Sequence, residues 1–424
     1  MIRRIILTKN FMTRSKIEDF YNKVLSENNG LIHLSPTWVP YTFSTPGRRL
    51  KLHPDDLFAC GLERGGIDER WFCSTCRADC GPGTNEDDGL SYATSGREKV
   101  LFRDIVEECG SDVLGDKVMN KWGGLKVFAK FFDNMEALPL HVHSRDEHAR
   151  EIGMEGKAEA YYFPPQVNFT NGLFPYTFFG LESGTSKDDI RQCILNFSKG
   201  DNKIVNYSKA YRLDVGTGWL LPPGILHAPG SLCTFEVQWA SDIYSMYQSV
   251  VAERPLDRSL LIKDVPRSSL ENYVEYLVEL LDWEANLLPD FKERFFLPPV
   301  DIVKTKDAGY REKWIVYGLI DNKELFSGKE LEVYIGNRIS IKDSGAYGLV
   351  IIQGHGTING ITVESPTMIR FGDSTRDEFF VPYSTARKGV TIENTGYEPL
   401  VMLKFFGPDC NADMPKKSPP IKNY

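Results

Sequence analysis

The sequence has no run of apolar residues approaching the roughly 20 that cross a bilayer, so a membrane-spanning protein is not expected. It also lacks an excess of positive charge: 58 acidic against 50 basic side chains leave a net charge of -8 over 424 residues. A non-specific nucleic-acid binder needs a basic surface to neutralise phosphates, so that class is not expected either. There is no fixed-period repeat and no low-complexity segment, which argues against a repeat architecture. The start, Met1-Ile2-Arg3-Arg4-Ile5-Ile6-Leu7, has too short an apolar stretch for a signal-peptide core, and Lys9 follows at once. A cytoplasmic protein is expected. The cysteines lack the usual long spacer between two close-set pairs. Cys60, Cys73, Cys76 and Cys80 cluster, but their spacing favours unpaired thiols over a zinc knuckle. A disulfide framework is not expected in such a chain.

What is present is ordinary globular composition, 42% hydrophobic and 25% charged, with length enough for two or three cores. Residues 13–30 read as an amphipathic helix with Ser15 and Glu18 as a capping box and Gly30 as its stop. Residues 31–100 are rich in Gly, Pro, Asp and Ser and read as loops and short strands, followed by a short helix near 101–109. From about 122 the period changes to two, with strands at 125–132 and 157–163. A helix opened by Ser186 is expected over 186–198. Residues 210–240 read as strand–turn–strand around Pro222-Pro223-Gly224. Ser268 and Glu271 predict a helix running to about Trp283, which with the stretch to about 300 reads as a linker. Residues 313–408 are almost all short strands, with turns expected at Gly354-His355-Gly356 and Asn359-Gly360.

Histidine is scarce, seven in all, yet His141, His143 and His148 fall within eight residues. Two histidines two apart on a strand share one face. Buried there without a metal, each would need its own set of hydrogen-bond partners. Lys157, Glu159 and Tyr161 alternate on the following strand, and His227 follows the Pro-Pro-Gly turn. His141, His143, Glu159 and His227 form a nitrogen and oxygen donor set suited to Zn, Fe, Mn, Ni or Co. Glu147, in a polar loop or helical turn, competes with Glu159 for the carboxylate position; strand alternation favours Glu159. His148 is expected to be structural or to support a ligand.

These residues carry a family resemblance. His141-Val142-His143-Ser144-Arg145-Asp146-Glu147-His148-Ala149 followed by Gly156-Lys157-Ala158-Glu159-Ala160-Tyr161-Tyr162 resembles the first metal-binding motif of type I mannose-6-phosphate isomerases. Leu221-Pro222-Pro223-Gly224-Ile225-Leu226-His227-Ala228 resembles their second motif, and Glu236-Val237-Gln238-Trp239-Ala240-Ser241-Asp242 the stretch after it. Weaker echoes lie at Gly66-Ile67-Asp68-Glu69-Arg70-Trp71 and Phe178-Phe179-Gly180-Leu181. The resemblance covers about 45–245 well and 313–408 loosely, and leaves 1–44 uncovered. It implies a mainly β bicupin, two β-barrel or jelly-roll domains with helical insertions and an N-terminal helix. The boundaries expected are a helical extension over 1–44, a metal-binding cupin over 45–250, a helical linker over 251–312 and a second, metal-free cupin over 313–424.

The same resemblance implies zinc-dependent aldose–ketose isomerisation on the four ligands named above. Two positions depart from the family pattern. His141 stands where the family usually has Gln, which raises the nitrogen count and moves the preference toward Fe, Ni or Mn. Met246 stands where the family places an Arg, and a phosphate is usually met by Arg, Lys or backbone amides. The expected substrate is therefore a small carbohydrate, non-phosphorylated or modified. Glu236 is the candidate base and Lys157 the residue orienting Glu159 or a substrate oxygen. One divalent metal is expected, zinc first. No nucleic-acid or membrane partner is expected, and a homodimer is compatible with the sequence. The rival readings are an Fe(II) cupin oxygenase and a non-catalytic sugar-binding cupin.

Overall fold

The computed structural model describes residues 12–81, 83–169, 174–303 and 306–416; the signal-peptide reading of the first residues lies outside them. The helix Arg14–Glu27 buries Ile17, Phe20, Tyr21 and Val24, the 3-4 spacing that one apolar stripe requires. Its expected capping box does not form. The helix begins before Ser15, its N-cap is Thr13, and Glu18 instead pairs with Arg14 at 2.9 Å. It ends at Glu27, with Asn28 as C-cap ahead of Gly30.

The first half is built from strands β1 (Ile32–Ser35), β2 (Thr37–Tyr41), β3 (Gly66–Phe72), β4 (Tyr92–Ser95), β5 (Glu98–Leu101), β6 (Val127–Phe132), β7 (His141–Val142), β8 (Glu159–Tyr162), β9 (Tyr176–Leu181), β10 (Ser208–Arg212), β11 (Gly218–Leu221), β12 (His227–Ala228), β13 (Thr234–Trp239) and β14 (Ser245–Met246). One antiparallel sheet runs β2-β3-β6-β13-β8-β11 and ends on Phe296–Leu297; a second runs β10-β9-β12-β7-β14. Successive side chains on a strand point to opposite faces. On β13 and β6 the set Val127, Ala129, Phe131, Phe235 and Val237 packs with Trp314, Val316, Leu403 and Phe405 of the second half. The alternate set, Phe128, Lys130, Phe132, Glu236 and Gln238, takes the opposite face, toward the barrel interior.

The second half forms one sheet of 300–303, 310–316, 327–333, 400–406, 347–353 and 378–381, which β1, β4 and β5 extend. A four-stranded sheet of 338–341, 390–394, 355–358 and 361–364 accompanies it. Leu331, Val333, Ile351, Ile358, Val363, Phe379, Ile392 and Met402 are the shared core. The architecture is a mainly β, cupin-like fold. Residues 32–35 pair with 378–381 on one side and with β4 on the other, so the N-terminal stretch contributes strands as well as a helix.

Asn359 and Gly360 make the expected tight turn, at φ 51° and 82°. Gly354-His355-Gly356 does not: His355 opens the strand 355–358. The single helix expected from Ser268 to Trp283 is broken up. A 3-10 turn covers Arg267–Asn272, the helix proper is Tyr273–Leu280, and Asp282 caps a separate turn, Trp283–Asn286. The helix Lys187–Leu195 does carry a capping box, Ser186 with Asp189. Among the described residues no helix is long and apolar enough to cross a membrane.

Candidate metal centre

His141 on β7 and His227 on β12 are cross-strand partners, and His143 lies just past the end of β7. All three are buried, with ring centroids 4.2 to 5.0 Å apart and one ligating atom of each within 4.8 Å of the others. Their Nδ1 atoms meet the carbonyl oxygens of Pro139, Ile243 and Ile225 at 2.7, 2.7 and 2.8 Å. A carbonyl only accepts, so each Nδ1 carries the proton and each Nε2 keeps a free lone pair.

Glu159 lies against two of the three histidines. Its Oε2 lies 3.0 Å from His143 Nε2 and its Oε1 3.0 Å from His227 Nε2. His143 Nε2, His227 Nε2 and Glu159 Oε2 are buried with no hydrogen-bond partner. Lone pairs facing lone pairs out of water are unfavourable unless a cation lies between them. Burial holds the His141 imidazole well below its usual range, with the other two histidines adding to it. Burial and then Lys157 bring His143 to about 3. Neutral imidazoles are the form that ligates metal. Burial opposes ionisation of Glu159, but His143 and Lys157 outweigh it and hold the carboxyl well below its usual range. Three imidazole nitrogens and a carboxylate, with orphaned atoms converging, fit a divalent transition metal.

Lys157 lies just before β8, its Nζ 3.3 Å from Glu159 Oε2 and 3.5 Å from Glu236 Oε1. Glu236, mid-strand on β13, is buried, and that burial pushes its carboxyl up to about 8; the Glu159 charge adds while Lys130 and Lys157 oppose. Sequence reasoning missed two members of this network. Lys130 Nζ lies 3.5 Å from Glu236 Oε2 and 2.8 Å from Glu69 Oε1, and Trp71 Nε1 donates to Glu69 Oε2 at 2.7 Å. The available signal was a charged residue on the inward face of an otherwise apolar strand, in Phe128-Ala129-Lys130-Phe131-Phe132.

Glu147 is placed elsewhere, with its side chain 61% exposed and paired to Arg145 at 3.1 Å. His148 is edge-on to Tyr276, 5.6 Å away. Met246 is buried on β14 directly opposite His141. Asp242 accepts from the backbone N–H of Asp79 at 2.7 Å, which ties the loop after β3 to the segment that follows β13. The eight cysteines are free thiols, and among the described residues none joins a metal-ligand group.

No family model matches the sequence, and no curated protein matches it. Solved structures do. Mannose 6-phosphate isomerase from Bacillus subtilis aligns over 89% of this chain and 99% of its own, at 16% identity and TM-score 0.59. A mutant of phosphomannose isomerase from Salmonella typhimurium aligns over the same shares, 89% and 99%, at 12% identity and TM-score 0.56. A mannose 6-phosphate isomerase bound with zinc and yttrium aligns at 12% identity and TM-score 0.54. At these identities the likeness is one of fold. It shows that this chain has a cupin-like fold and follows the chain path of those structures.

Proposed function

We propose that the protein is a metal-dependent aldose–ketose isomerase acting on a small non-phosphorylated or modified sugar. The observation that carries this reading is the buried carboxylate Glu236, held between two lysines beside the three-histidine cluster. His141, His143, Glu159 and His227 would hold the ion, zinc first. A bound divalent ion supplies polarisation of the sugar's carbonyl oxygen, which acidifies the neighbouring C–H.

Isomerisation moves one proton between adjacent carbons. The Glu236 carboxylate takes the proton from C2 of the aldose, and the electron pair left behind forms the C1–C2 double bond of an enediol as O1 takes a proton from the Lys157 ammonium. The O2 proton then passes to the neutral Lys157 amine, which restores the ammonium and makes the C2 carbonyl, and Glu236 returns its proton to C1. No atom is gained or lost. Lys157 and Lys130 flank Glu236 at 3.5 Å on its two oxygens and fix its orientation. Lys157 is also placed to hold a substrate oxygen. The neutral-sugar reading rests on Met246: a buried thioether opposite His141 offers no charge to a phosphate.

The test is proton exchange at C2, followed by NMR in D2O with zinc-loaded protein and a panel of free and phosphorylated hexoses and pentoses. Exchange is expected with a free sugar. Glu236→Gln is expected to keep its zinc and to lose at least about a thousandfold in exchange rate, the order of a missing general base. Exchange at the wild-type rate in that variant would remove Glu236 from the reaction.

A further inference from the structure

Three buried side-chain oxygens beside the histidine cluster have no hydrogen-bond partner: Glu159 Oε2, Glu236 Oε1 and Gln238 Oε1. The first two lie 3.3 and 3.5 Å from the Lys157 ammonium, which compensates their charge. Gln238 is different. Its residue is 0% exposed, and its register partners across the sheet are Glu159 on β8 and Phe128 on β6. Cross-strand partners share a face, so Gln238 lies on the face that carries the proposed ligand Glu159.

The orientation of this amide is settled by its other end. Gln238 Nε2 lies 3.2 Å from the carbonyl oxygen of Ser241. That oxygen can only accept, so nitrogen and not oxygen must face it, and Oε1 turns the other way. What remains is a neutral, desolvated acceptor without a donor. A methionine of similar volume would fill the position without leaving a polar atom unsatisfied. We propose that Gln238 Oε1 accepts a hydrogen bond from a hydroxyl group of an uncharged sugar and is a specificity residue of the site.

This rests on the sugar reading above and narrows it. An oxygen that only accepts can be matched by a hydroxyl but not by a phosphate dianion, which brings acceptors alone and a repulsive charge. The group that meets Gln238 is therefore a sugar hydroxyl and not a phosphate.

The experiment uses the full, zinc-loaded chain with D-mannose and its 2-, 3-, 4- and 6-deoxy analogues. Affinity is read by saturation-transfer NMR and calorimetry, and turnover by C2 proton exchange. For the wild type, one deoxy sugar is expected to bind about tenfold more weakly than D-mannose, the size of one lost hydrogen bond. Gln238→Met is expected to bind D-mannose about tenfold more weakly, to stop discriminating against that one deoxy sugar, and to keep its zinc. Its KM should rise while kcat stays within about threefold. The proposal is overturned if Gln238→Met binds D-mannose as the wild type does, since the amide then holds only water. It is equally overturned if the variant weakens every sugar alike, or if the wild type binds none of them. Binding without C2 exchange would sink the isomerase reading, while the deoxy series would still decide the role of Gln238.

Discussion

Buried charge persists in this protein where signs alternate. Glu69, Lys130, Glu236, Lys157 and Glu159 form one such chain inside the first barrel, each next to a partner of opposite sign. A second lies where the two halves meet. Arg70, on the strand that carries Glu69, grips Asp377 through two bonds of 2.7 and 2.8 Å and reaches Glu378 at 3.3 Å. Burial pushes the Glu378 carboxyl up to about 8; Asp377 adds to this and Arg70 opposes it. Its folded value lies above the ordinary value of 4.5, so the stability it contributes is full below pH 4.5 and is lost as pH rises through 8. Glu378→Gln removes that dependence. Melting curves from pH 5 to 8.5 should show the wild type losing on the order of 5 °C relative to the variant. A gap constant with pH would contradict it. At this scale the imidazoles were legible because His-x-His on a strand has few other physical uses. Lys130, Glu69 and Gln238 were not, because a polar residue in an alternating strand reads as solvent-facing until the partner sheet is known.

Among the elements, the turn at 222–224 does the most for the site. Gly224 sits at φ 87°, donates its N–H to the His143 carbonyl at 2.8 Å, and accepts from Asp282 N–H at 2.9 Å and Asn286 Nδ2 at 2.7 Å. It thus links the two segments that carry histidines to the helical stretch beyond. A Cβ here would meet the Asp282 backbone nitrogen at 3.1 Å, on top of the left-handed backbone. Gly224→Ala should destabilise by about 1–3 kcal/mol and lower zinc occupancy, read by the urea midpoint and by zinc per chain. An unchanged midpoint would show that the turn relaxes freely. Strand positions followed from period two, while helix ends did so only in part. Ser186 with Asp189 caps a real helix, but Ser15 with Glu18 and Ser268 with Glu271 do not, because a capping pair works only where the backbone already turns into the helix. Strand position 356 is a glycine for a reason invisible in one sequence: a Cβ there would lie 2.1 Å from the carbonyl of Glu393 on the neighbouring strand.

For the whole molecule, the mainly β class was legible from strand spacing, and the order of strands was not. β1 pairs with residues 378–381, more than three hundred positions along the chain, and no periodicity encodes such a partner. The same non-local pairing sets His141 opposite His227, so the site exists only once the barrel closes. The direct check is the metal content of the full chain after dialysis, measured by inductively coupled plasma mass spectrometry for wild type and His227→Ala. About one transition-metal ion per wild-type chain is expected, and less than about a tenth of that in the variant, the loss expected when one of four proposed ligands is removed. A wild-type chain that retains no ion, or a variant that retains as much as the wild type, would contradict the convergence of these side chains on one metal.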